Sequence, residues 1–202
     1  MAKKDVPAII RGLGVGMSIL QLLMAKVMAI GGTEEDVHRL ATPEGETLLE
    51  KLADLIVNSA KNIFRIMIGG NRTTEEVVTA GKYGWANSNI NSQNFPMRPQ
   101  RSDGATIELL EFEFDPTTEQ VFAEAKKRGL EDPVYEDGLF FGEQHPEEQR
   151  KRPIVFLHKP WQDPYGHRLV LVLSELAGER ELYLYSCGFG WPRSCRFAFR
   201  RN

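Results

Sequence analysis

The residue types that could bind a soft metal ion in this chain are two cysteines and four histidines. Zinc sites commonly place two cysteines three positions apart, or two histidines four positions apart on one helix. None of the residues concerned shows such a spacing; they are Cys187, Cys195, His38, His145, His158 and His167. The sequence therefore predicts no metal site.

A second chemical possibility is a pair of carboxylates, because Glu111, Glu113 and Asp115 alternate with apolar residues. Carboxylates on one side of a strand could act as general acid and base. The same alternation is typical of the solvated face of a one-sided sheet, and we favour that interpretation. We assign no catalytic residue, and the alternative is an enzyme that combines Glu111 and Glu113 with His158 or His167.

The glycine-rich stretch at residues 12–16 is similar to a phosphate-binding loop only in its glycines. A P-loop also needs a lysine followed by serine or threonine, and a dinucleotide loop follows a strand. Neither feature is present, so we predict no cofactor. The formal net charge of −3 argues against broad attraction to nucleic acid, which requires clustered positive charge. Nucleic-acid association is kept as an alternative function.

Aromatic and arginine side chains are frequent in the late part of the chain. Tryptophan, tyrosine and arginine anchor recognition surfaces, because they bury a large area for little loss of rotamer entropy. We predict a face that binds a macromolecular ligand, a protein more than a glycan or nucleic acid. Packing of the rings in the core is the alternative. The predicted ligand-binding residues are Trp161, Tyr165, Tyr183, Tyr185, Trp191 and Arg193, with Phe189, Arg180, Arg196 and Arg200 among them in the sequence.

The elements that precede this region are predicted to be helical. Apolar residues recur at steps of three and four from Val6 to about Ile30, which is the helical period. Thr33 before three acidic residues, and Pro43 after Thr42, indicate two further helix starts. We predict a helical section over residues 1–70, as a small bundle or a cap. Its last helix is expected to extend through Ile63, Ile66, Met67 and Ile68.

The uncharged stretch at residues 12–25 follows Lys3, Lys4 and Arg11, as in the charged start of a signal peptide. It is shorter than a membrane span, and Lys26 follows it directly. We expect a helix packed against other helices, no transmembrane span and a cytoplasmic location. An export or membrane segment is the alternative.

Residues 71–104 are predicted to form a connector, opened by a short helix at Thr73 and rich in turn-forming residues. The remaining segment, 105–202, is predicted to be an α+β, strand-rich module. It begins with a strand from Thr106 that alternates through Phe114, followed by a helix capped at Thr117. A second helix is expected between Val134 and Glu143. A strand meander then follows at 154–157, 169–173, 182–185 and 197–199, with a hairpin turn at 177–180.

The two cysteines lie on either side of a turn-like stretch before the last predicted strand. Strands leaving that turn could place Cys187 and Cys195 close enough for a disulfide, which requires Cα atoms within about 7 Å. Two free buried thiols are the other possibility. The spacing alone does not choose between them.

Several stretches of the chain resemble a family of uncharacterised proteins that is frequent in candidate-phylum (Patescibacteria) bacteria. The resemblance covers most of residues 30–202, and it implies no activity and no catalytic residue. The stretches that carry it are Gly32-Thr33-Glu34-Glu35-Asp36, Thr42-Pro43-Glu44-Gly45, Ala80-Gly81-Lys82-Tyr83-Gly84-Trp85, the residues 135–150, Pro153-Ile154-Val155-Phe156-Leu157 and Arg196-Phe197-Ala198-Phe199-Arg200.

The order of strand, two helices and terminal strands is also similar, at the level of fold, to C-type-lectin-like modules. That resemblance implies variable aromatic residues on a ligand-binding face. The chain lacks the long-range cysteine pairs and calcium-binding triplets of true lectins, so neither calcium nor sugar binding is expected. Altogether the sequence predicts an α+β protein whose carboxy-terminal half is a non-enzymatic recognition module.

Overall fold

The computed structural model of the chain describes residues 6–60, 62–98, 103–188 and 190–201. The description leaves out the side chains of 6–15, 54, 55, 57–60 and 103. The chain divides into two compact units, Met1–Val57 and Asn58–Asn202. This division lies before residue 70, where the sequence predicts the end of the helical section.

The first unit consists of helices, as predicted. They are α1 (Val6–Ala29), α2 (Glu34–His38), two short 3-10 helices at Arg39–Ala41 and Pro43–Gly45, and α3 (Glu46–Ala60). The predicted start at Thr33 is confirmed: its hydroxyl accepts the N–H of Asp36, and the Asp36 carboxylate accepts the N–H of Thr33. The hydrogen bonds from Thr33 lower the pKa of Asp36.

Apolar side chains of the first unit are largely exposed. Among the side chains described there, Val37 is the apolar one that is buried. Within the described residues, no helix combines the length and the apolar character needed to cross a bilayer. The apolar side chains that remain exposed include Met17, Ile19, Leu20, Leu22, Met28, Ile30, Leu48, Leu49 and Ile56.

The second unit contains one mixed sheet of seven strands, which together with the helices confirms the α+β class. Its strands are β1 (Ile63–Ile68), β2 (Trp85–Ala86), β3 (Asp103–Leu110), β4 (Ile154–Gln162), β5 (Arg168–Leu176), β6 (Glu179–Ser186) and β7 (Arg196–Arg201). Its helices are α4 (Thr74–Ala80), α5 (Thr118–Lys127), α6 (Tyr135–Gln144) and α7 (Glu148–Lys151).

The strand order is β1-β3-β7-β4-β5-β6-β2. Strands β4, β5 and β6 form the predicted antiparallel meander. The prediction was wrong for β7, which lies between β3 and β4, antiparallel to the first and parallel to the second. Strand β2 pairs in parallel with β6 at the far edge.

Two sequence-based assignments are corrected by the structure. Ile63–Ile68 is strand β1, not the end of a helix, and it follows Asn62, which has a positive φ of 55°. A short apolar run does not distinguish strand from helix by its periodicity, so pairing with β3 decides the conformation. Strand β3 ends at Leu110, so Phe112 and Phe114 lie beyond it instead of continuing its alternation.

Residues assigned to the connector contribute to the core of the second unit. Helix α4 lies among them and begins at Thr73, whose hydroxyl accepts the N–H of Glu76, as predicted. Phe95 is 1% exposed and packs in the same cluster as Val77. The hydroxyl of the buried Thr74 donates to the carbonyl of Phe95. The connector is therefore folded against the sheet.

Alternate residues along each strand point to opposite faces of the sheet. Both faces carry buried apolar residues. One face packs against α4 and α6, and the other against α5. Sheet residues on the α6 face include Ile107, Leu109, Ile154, Phe156, Leu171, Leu173 and Leu182. Those on the α5 face include Leu110, Val155, Leu157, Val170, Val172, Phe197 and Phe199.

The buried Arg180 connects β6 to the helices on the α6 face. Its guanidinium donates to the carbonyls of Gly81 and Gly142 and to the Gln149 side chain, the last at 2.9 Å. The guanidinium also lies over the Tyr83 ring, 4.7 Å from its centroid. Burial lowers the pKa of Arg180. Arg180 therefore serves the interior instead of a recognition surface.

The turn between β5 and β6 gives a test of local backbone strain. Ala177 and Gly178 have φ values of 53° and 88°, as a two-residue type I′ turn requires at both positions. Alanine is strained there and asparagine is tolerated. We expect Ala177→Asn to raise the free energy of unfolding by about 0.5 kcal/mol in urea titrations. The matched change Gly178→Ala should lower it by about 1 kcal/mol. A loss of stability in Ala177→Asn would contradict the assignment.

Candidate functional site

An irregularity in strand β4 borders a cavity of the second unit. The register between β4 and β5 shifts between the pairs Phe156–Leu171 and Trp161–Leu169. Residues 157–160 therefore lie opposite Val170 alone. A bulge of this kind interrupts the hydrogen-bond ladder and redirects side chains. Pro160 within the bulge fits this position, because proline cannot donate to a ladder.

The side chain of His158 replaces the missing backbone partner. The N–H of Leu171 donates to Nε2 of His158 over 3.0 Å. The other ring nitrogen, Nδ1, is 2.8 Å from the carbonyl of Lys159 and must donate its hydrogen there. The ring is therefore neutral, with its proton on Nδ1. Burial lowers the pKa of His158, opposed by that hydrogen bond and by the charge of Asp137.

The cavity lies between α5, the bulge and the segment that leads into α6. Its volume is about 520 Å³, within the range of roughly 300–1,000 Å³ that is typical of small-molecule sites. Most of the wall is apolar, although five of its fifteen lining residues are charged. The lining residues are Arg98, Thr118, Phe122, Asp132, Pro133, Val134, Tyr135, Glu136, Leu157, His158, Lys159, Pro160, Arg168, Val170 and Cys187.

The wall before α6 is held by backbone and ionic contacts. Glu131 and Arg200 exchange two backbone hydrogen bonds of 2.9 Å. Asp137, which is fully buried, accepts the N–H of Val134 at 2.8 Å. Its two oxygens accept Nε and Nη2 of Arg200 at 2.7 and 2.8 Å. These contacts raise the pKa of Arg200, chiefly through the hydrogen bonds that it donates to Asp137.

Three basic residues line the cavity, and they differ in their partners. Arg98 donates to the buried Glu136 from both its backbone N–H, at 2.9 Å, and its Nε, at 2.6 Å. The side chains of Lys159 and Arg168 make no hydrogen bond or ion pair with any residue in the described ranges. Positive charge is thus available at the cavity.

Two of the predicted ligand-binding tyrosines lie on the α5 face beside the cavity. Tyr183 and Tyr185 share that face, with ring centroids 6.3 Å apart, as the alternation in β6 predicts. The Tyr185 ring is 5.5 Å from Trp191 and remains 44% exposed. Trp191 is only 2% exposed and donates from Nε1 to Thr118. Trp191 is therefore a core residue that supports the two tyrosines.

The remaining predicted residues are elsewhere in the unit. Trp161 is partly buried on the other face, where its ring lies 5.9 Å from Phe95. Tyr165 is 86% exposed in the turn between β4 and β5. The exposed Arg193 donates its backbone N–H to Asp115 at 2.8 Å. The structure thus brings together Tyr183, Tyr185 and Trp191, but not the whole predicted set.

The neighbouring arginines have internal partners. Arg196 is 3% exposed and pairs with Glu148 at 3.0 Å. Arg200 is bound to Asp137, and Arg180 is buried between helices. Phe189, also named among the late aromatic residues, lies outside the described residues. Among Arg180, Arg193, Arg196 and Arg200, Arg193 is therefore the one that is exposed.

The candidate metal and acid–base residues are dispersed. In the described part of the chain, no group of three or more histidine, cysteine or acidic side chains could hold a metal ion. Both cysteines are free thiols, Cys195 buried and Cys187 partly buried. The remaining site histidines have other partners: His145 bonds to the carbonyl of Arg65, and His167 pairs with Asp163.

The carboxylates proposed for an enzyme are not placed with these histidines. Glu111 pairs with Arg152 at 2.9 Å and accepts from the side chain of Asn62. Glu111 and Glu113 line a shallow depression beside α5, whereas His158 lines the cavity at the bulge. Asp163 holds His167 at the β4–β5 turn. The structure therefore does not place Glu111 and Glu113 in one pocket with His158 or His167.

Comparison with protein-family models, with curated proteins and with solved structures found no match to the chain. The resemblances to the Patescibacteria family and to C-type-lectin-like modules therefore stay predictions. The function is consequently inferred from the geometry of the second unit alone.

Sequence reasoning missed Lys159, Arg168 and the cavity that they border. The available signal was His158-Lys159-Pro160 within an otherwise regular strand pattern, since proline inside a strand indicates an edge or a bulge. The contribution of Phe122 from α5 and of the segment before α6 had no local signal, because these parts meet only in the folded unit.

The neutral His158 makes a testable contribution to stability. Its pKa in the folded protein lies below the ordinary value of 6.5. The unfolded chain therefore binds the proton more readily. The contribution of His158 to the free energy of unfolding is complete above about pH 6.5. It is lost as the pH falls through the pKa of the folded protein, by at most about 1.4 kcal/mol per pH unit. We expect His158→Gln to reduce the loss of unfolding free energy between pH 7 and pH 5, measured by urea titration.

His167→Gln is the matched control, because His167 is exposed and makes no contact with the bulge hydrogen bonds. It should leave the pH dependence that comes from the bulge in place. Equal pH dependence in the wild type and in His158→Gln would show that His158 does not carry this effect.

Proposed function

We propose that the second unit is a non-enzymatic recognition module that binds a macromolecular partner, a protein in preference to a glycan or a nucleic acid. The observation that supports this most directly is the presentation of Tyr165 and Tyr185. Both rings are exposed, at 86% and 44%; Tyr165 lies in the turn between β4 and β5, and Tyr185 lies near the end of β6.

Tyr165 is presented by a turn that is fixed by a single carboxylate. Asp163 accepts the backbone N–H groups of Tyr165 and His167 at 2.9 and 2.8 Å. Its second oxygen contacts Nδ1 of His167 at 2.8 Å. These hydrogen bonds lower the pKa of Asp163, although desolvation opposes them. A tyrosine on a fixed turn loses little conformational entropy on binding, which favours its use as an anchor.

Tyr185 is presented by packing. Its ring lies against Trp191, whose indole nitrogen is bound to Thr118 at 3.0 Å. Tyr183 extends the same row. In this proposal Tyr183 and Tyr185 contact the partner as one row, and Tyr165 and Arg193 contact it from separate loops. The other two predicted residues, Trp161 and Trp191, support the surface from within.

A protein partner agrees best with the charge of this surface. Arg180, Arg196 and Arg200 are committed to internal contacts, so these three arginines do not supply a row of free cations of the kind that phosphate backbones attract. Exposed tyrosines with one arginine are instead the composition of protein hot spots. Glycans stack on aromatic rings as well, and the experiment distinguishes the two.

The proposal is tested with three defined probes: a displayed library of random 12-residue peptides, a glycan array and a single-stranded oligonucleotide of about 20 nucleotides. We expect selected peptides to bind, and binding of their synthetic versions to weaken by about tenfold or more in Tyr165→Ala or Tyr185→Ala. That loss corresponds to a hot-spot residue. Affinity is measured by titration calorimetry.

Met67→Ala is the matched control, because Met67 is a 58% exposed apolar side chain in β1, at the edge of the sheet farthest from β6. It should leave peptide affinity unchanged. Peptide binding that survives both tyrosine substitutions, or binding confined to glycans or the oligonucleotide, would overturn the proposal.

A further inference from the structure

The cavity at the β4 bulge has walls that suit an apolar ligand. Phe122 contributes one side from α5, and Val134 contributes another from the segment before α6. Leu157 and Val170, exposed at 2% and 1%, form the floor at the bulge. His158 adds a neutral ring to the wall. Such a lining favours a ligand that removes apolar surface from water on binding.

We propose that this cavity binds a small amphipathic monocarboxylate, with its apolar body against Phe122, Leu157 and Val170 and its carboxylate against Lys159 and Arg168. This site goes beyond the recognition surface proposed above, since it uses different residues and a different ligand class.

The charge argument comes from how the other arginines of the unit are used. Most of them pair with a glutamate or aspartate: Arg72, Arg98, Arg128, Arg150, Arg152, Arg196, Arg200 and Arg201. The exceptions include Arg180, which donates to carbonyls and Gln149 in the interior, and the exposed Arg193, which does not line the cavity. By contrast, the side chains of Lys159 and Arg168 have no partner within the described part of the chain. Both line an apolar cavity, so an anion entering it would find cations not yet neutralised.

A carboxylate fits these cations for geometric reasons. The planar guanidinium of Arg168 can bind both oxygens of a carboxylate, and the ammonium of Lys159 supplies a second, point-like charge. Hydrogen bonds of this charge-assisted type are about twice as strong as neutral ones. The backbone carbonyl of Arg168 is already used, because it accepts the Cys187 N–H at 3.1 Å.

The acidic residues of the cavity limit the charge of the ligand. Glu136 is bound to Arg98 and is therefore neutralised. Asp132 is exposed in the wall, and among the described residues it has no ion-pair partner. One negative charge against Lys159 and Arg168 leaves about one net positive charge. A singly charged carboxylate is therefore favoured over a dianionic phosphate.

Cys187 supplies a reporter for occupancy of the cavity. Its thiol is partly exposed, lines the cavity and donates to the Arg168 carbonyl at 3.5 Å. Cys195 is buried, and burial raises the pKa of its thiol, so it reacts slowly. The rate at which iodoacetamide, a neutral reagent, alkylates each thiol can be followed by mass spectrometry of the whole chain.

The experiment measures alkylation of Cys187 in the presence of decanoate, 3-phenylpropanoate or decan-1-ol, with decanoate below its micellar concentration. We expect at least one carboxylate to slow the reaction of Cys187 about fivefold or more. Decan-1-ol should protect much less at equal concentration. The relative effects of decanoate and 3-phenylpropanoate distinguish an aliphatic from an aromatic body.

Charge variants complete the test. Lys159→Gln with Arg168→Gln should raise the carboxylate concentration needed for half-protection about tenfold. Both residues are exposed, so the fold is retained. The matched double variant Lys126→Gln with Lys127→Gln removes the same charge from the end of α5 and should change nothing.

Three results would overturn the proposal: no protection by either carboxylate, equal protection by decan-1-ol, or unchanged protection in the Lys159 and Arg168 double variant. Any of these leaves the peptide experiment unaffected, because that experiment uses the Tyr165 and Tyr185 variants.

Discussion

Two adjacent carboxylates at the start of α6 fix the position of the cavity wall formed by the segment before α6. Asp137 is fully buried and Glu136 is 3% exposed, and each is bound by an arginine distant in sequence. Removing one partner of a buried ion pair typically costs about 3–5 kcal/mol, because an uncompensated charge remains in the interior. The first turn of α6 is therefore held to β7 by Arg200 and to the segment before β3 by Arg98. The wall that precedes this turn is held with it.

The same principle explains why so few of the late arginines are free. A guanidinium has five donors, and in a small unit these donors can join several elements at once. The guanidinium of Arg196 donates to both the side chain and the backbone carbonyl of Glu148 in α7. Arg180 reaches two helix carbonyls and Gln149. Sequence composition cannot distinguish such internal ties from a recognition surface, because the partners are far apart in the chain.

Local signals did predict much of the fold. The hydroxyls of Thr33, Thr73 and Thr117 cap helices where the sequence places their starts, each with a reciprocal bond from the third helical residue. The alternation of Tyr183 and Tyr185 with leucines assigned their common face correctly. The hairpin turn at Ala177 and Gly178 was also predicted. In each case the determining contacts lie within a few residues.

Features that depend on distant pairing were not predictable in this way. Strand β1 has an apolar run that suits a helix equally well, and only its pairing with β3 selects the extended form. The insertion of β7 between β3 and β4 has no local signature, since consecutive strands are usually neighbours. The cavity also depends on distant pairing, because β7 positions Arg200 and the shifted pairing of β4 with β5 positions His158.

Thr118 connects the cavity to the row of tyrosines. Its hydroxyl accepts from the Trp191 indole and donates to the Cys187 carbonyl, each at 3.0 Å, and its side chain lines the cavity. Trp191 thus packs against the ring of Tyr185 and also binds Thr118, a residue that lines the cavity. Substitution of Trp191 would disturb both sites together through lost core packing. The exposed side chains of Tyr165, Lys159 and Arg168 each belong to one of the two proposed sites. Substitution of Tyr165 therefore tests recognition of a macromolecule, and substitution of Lys159 and Arg168 tests binding of a small carboxylate.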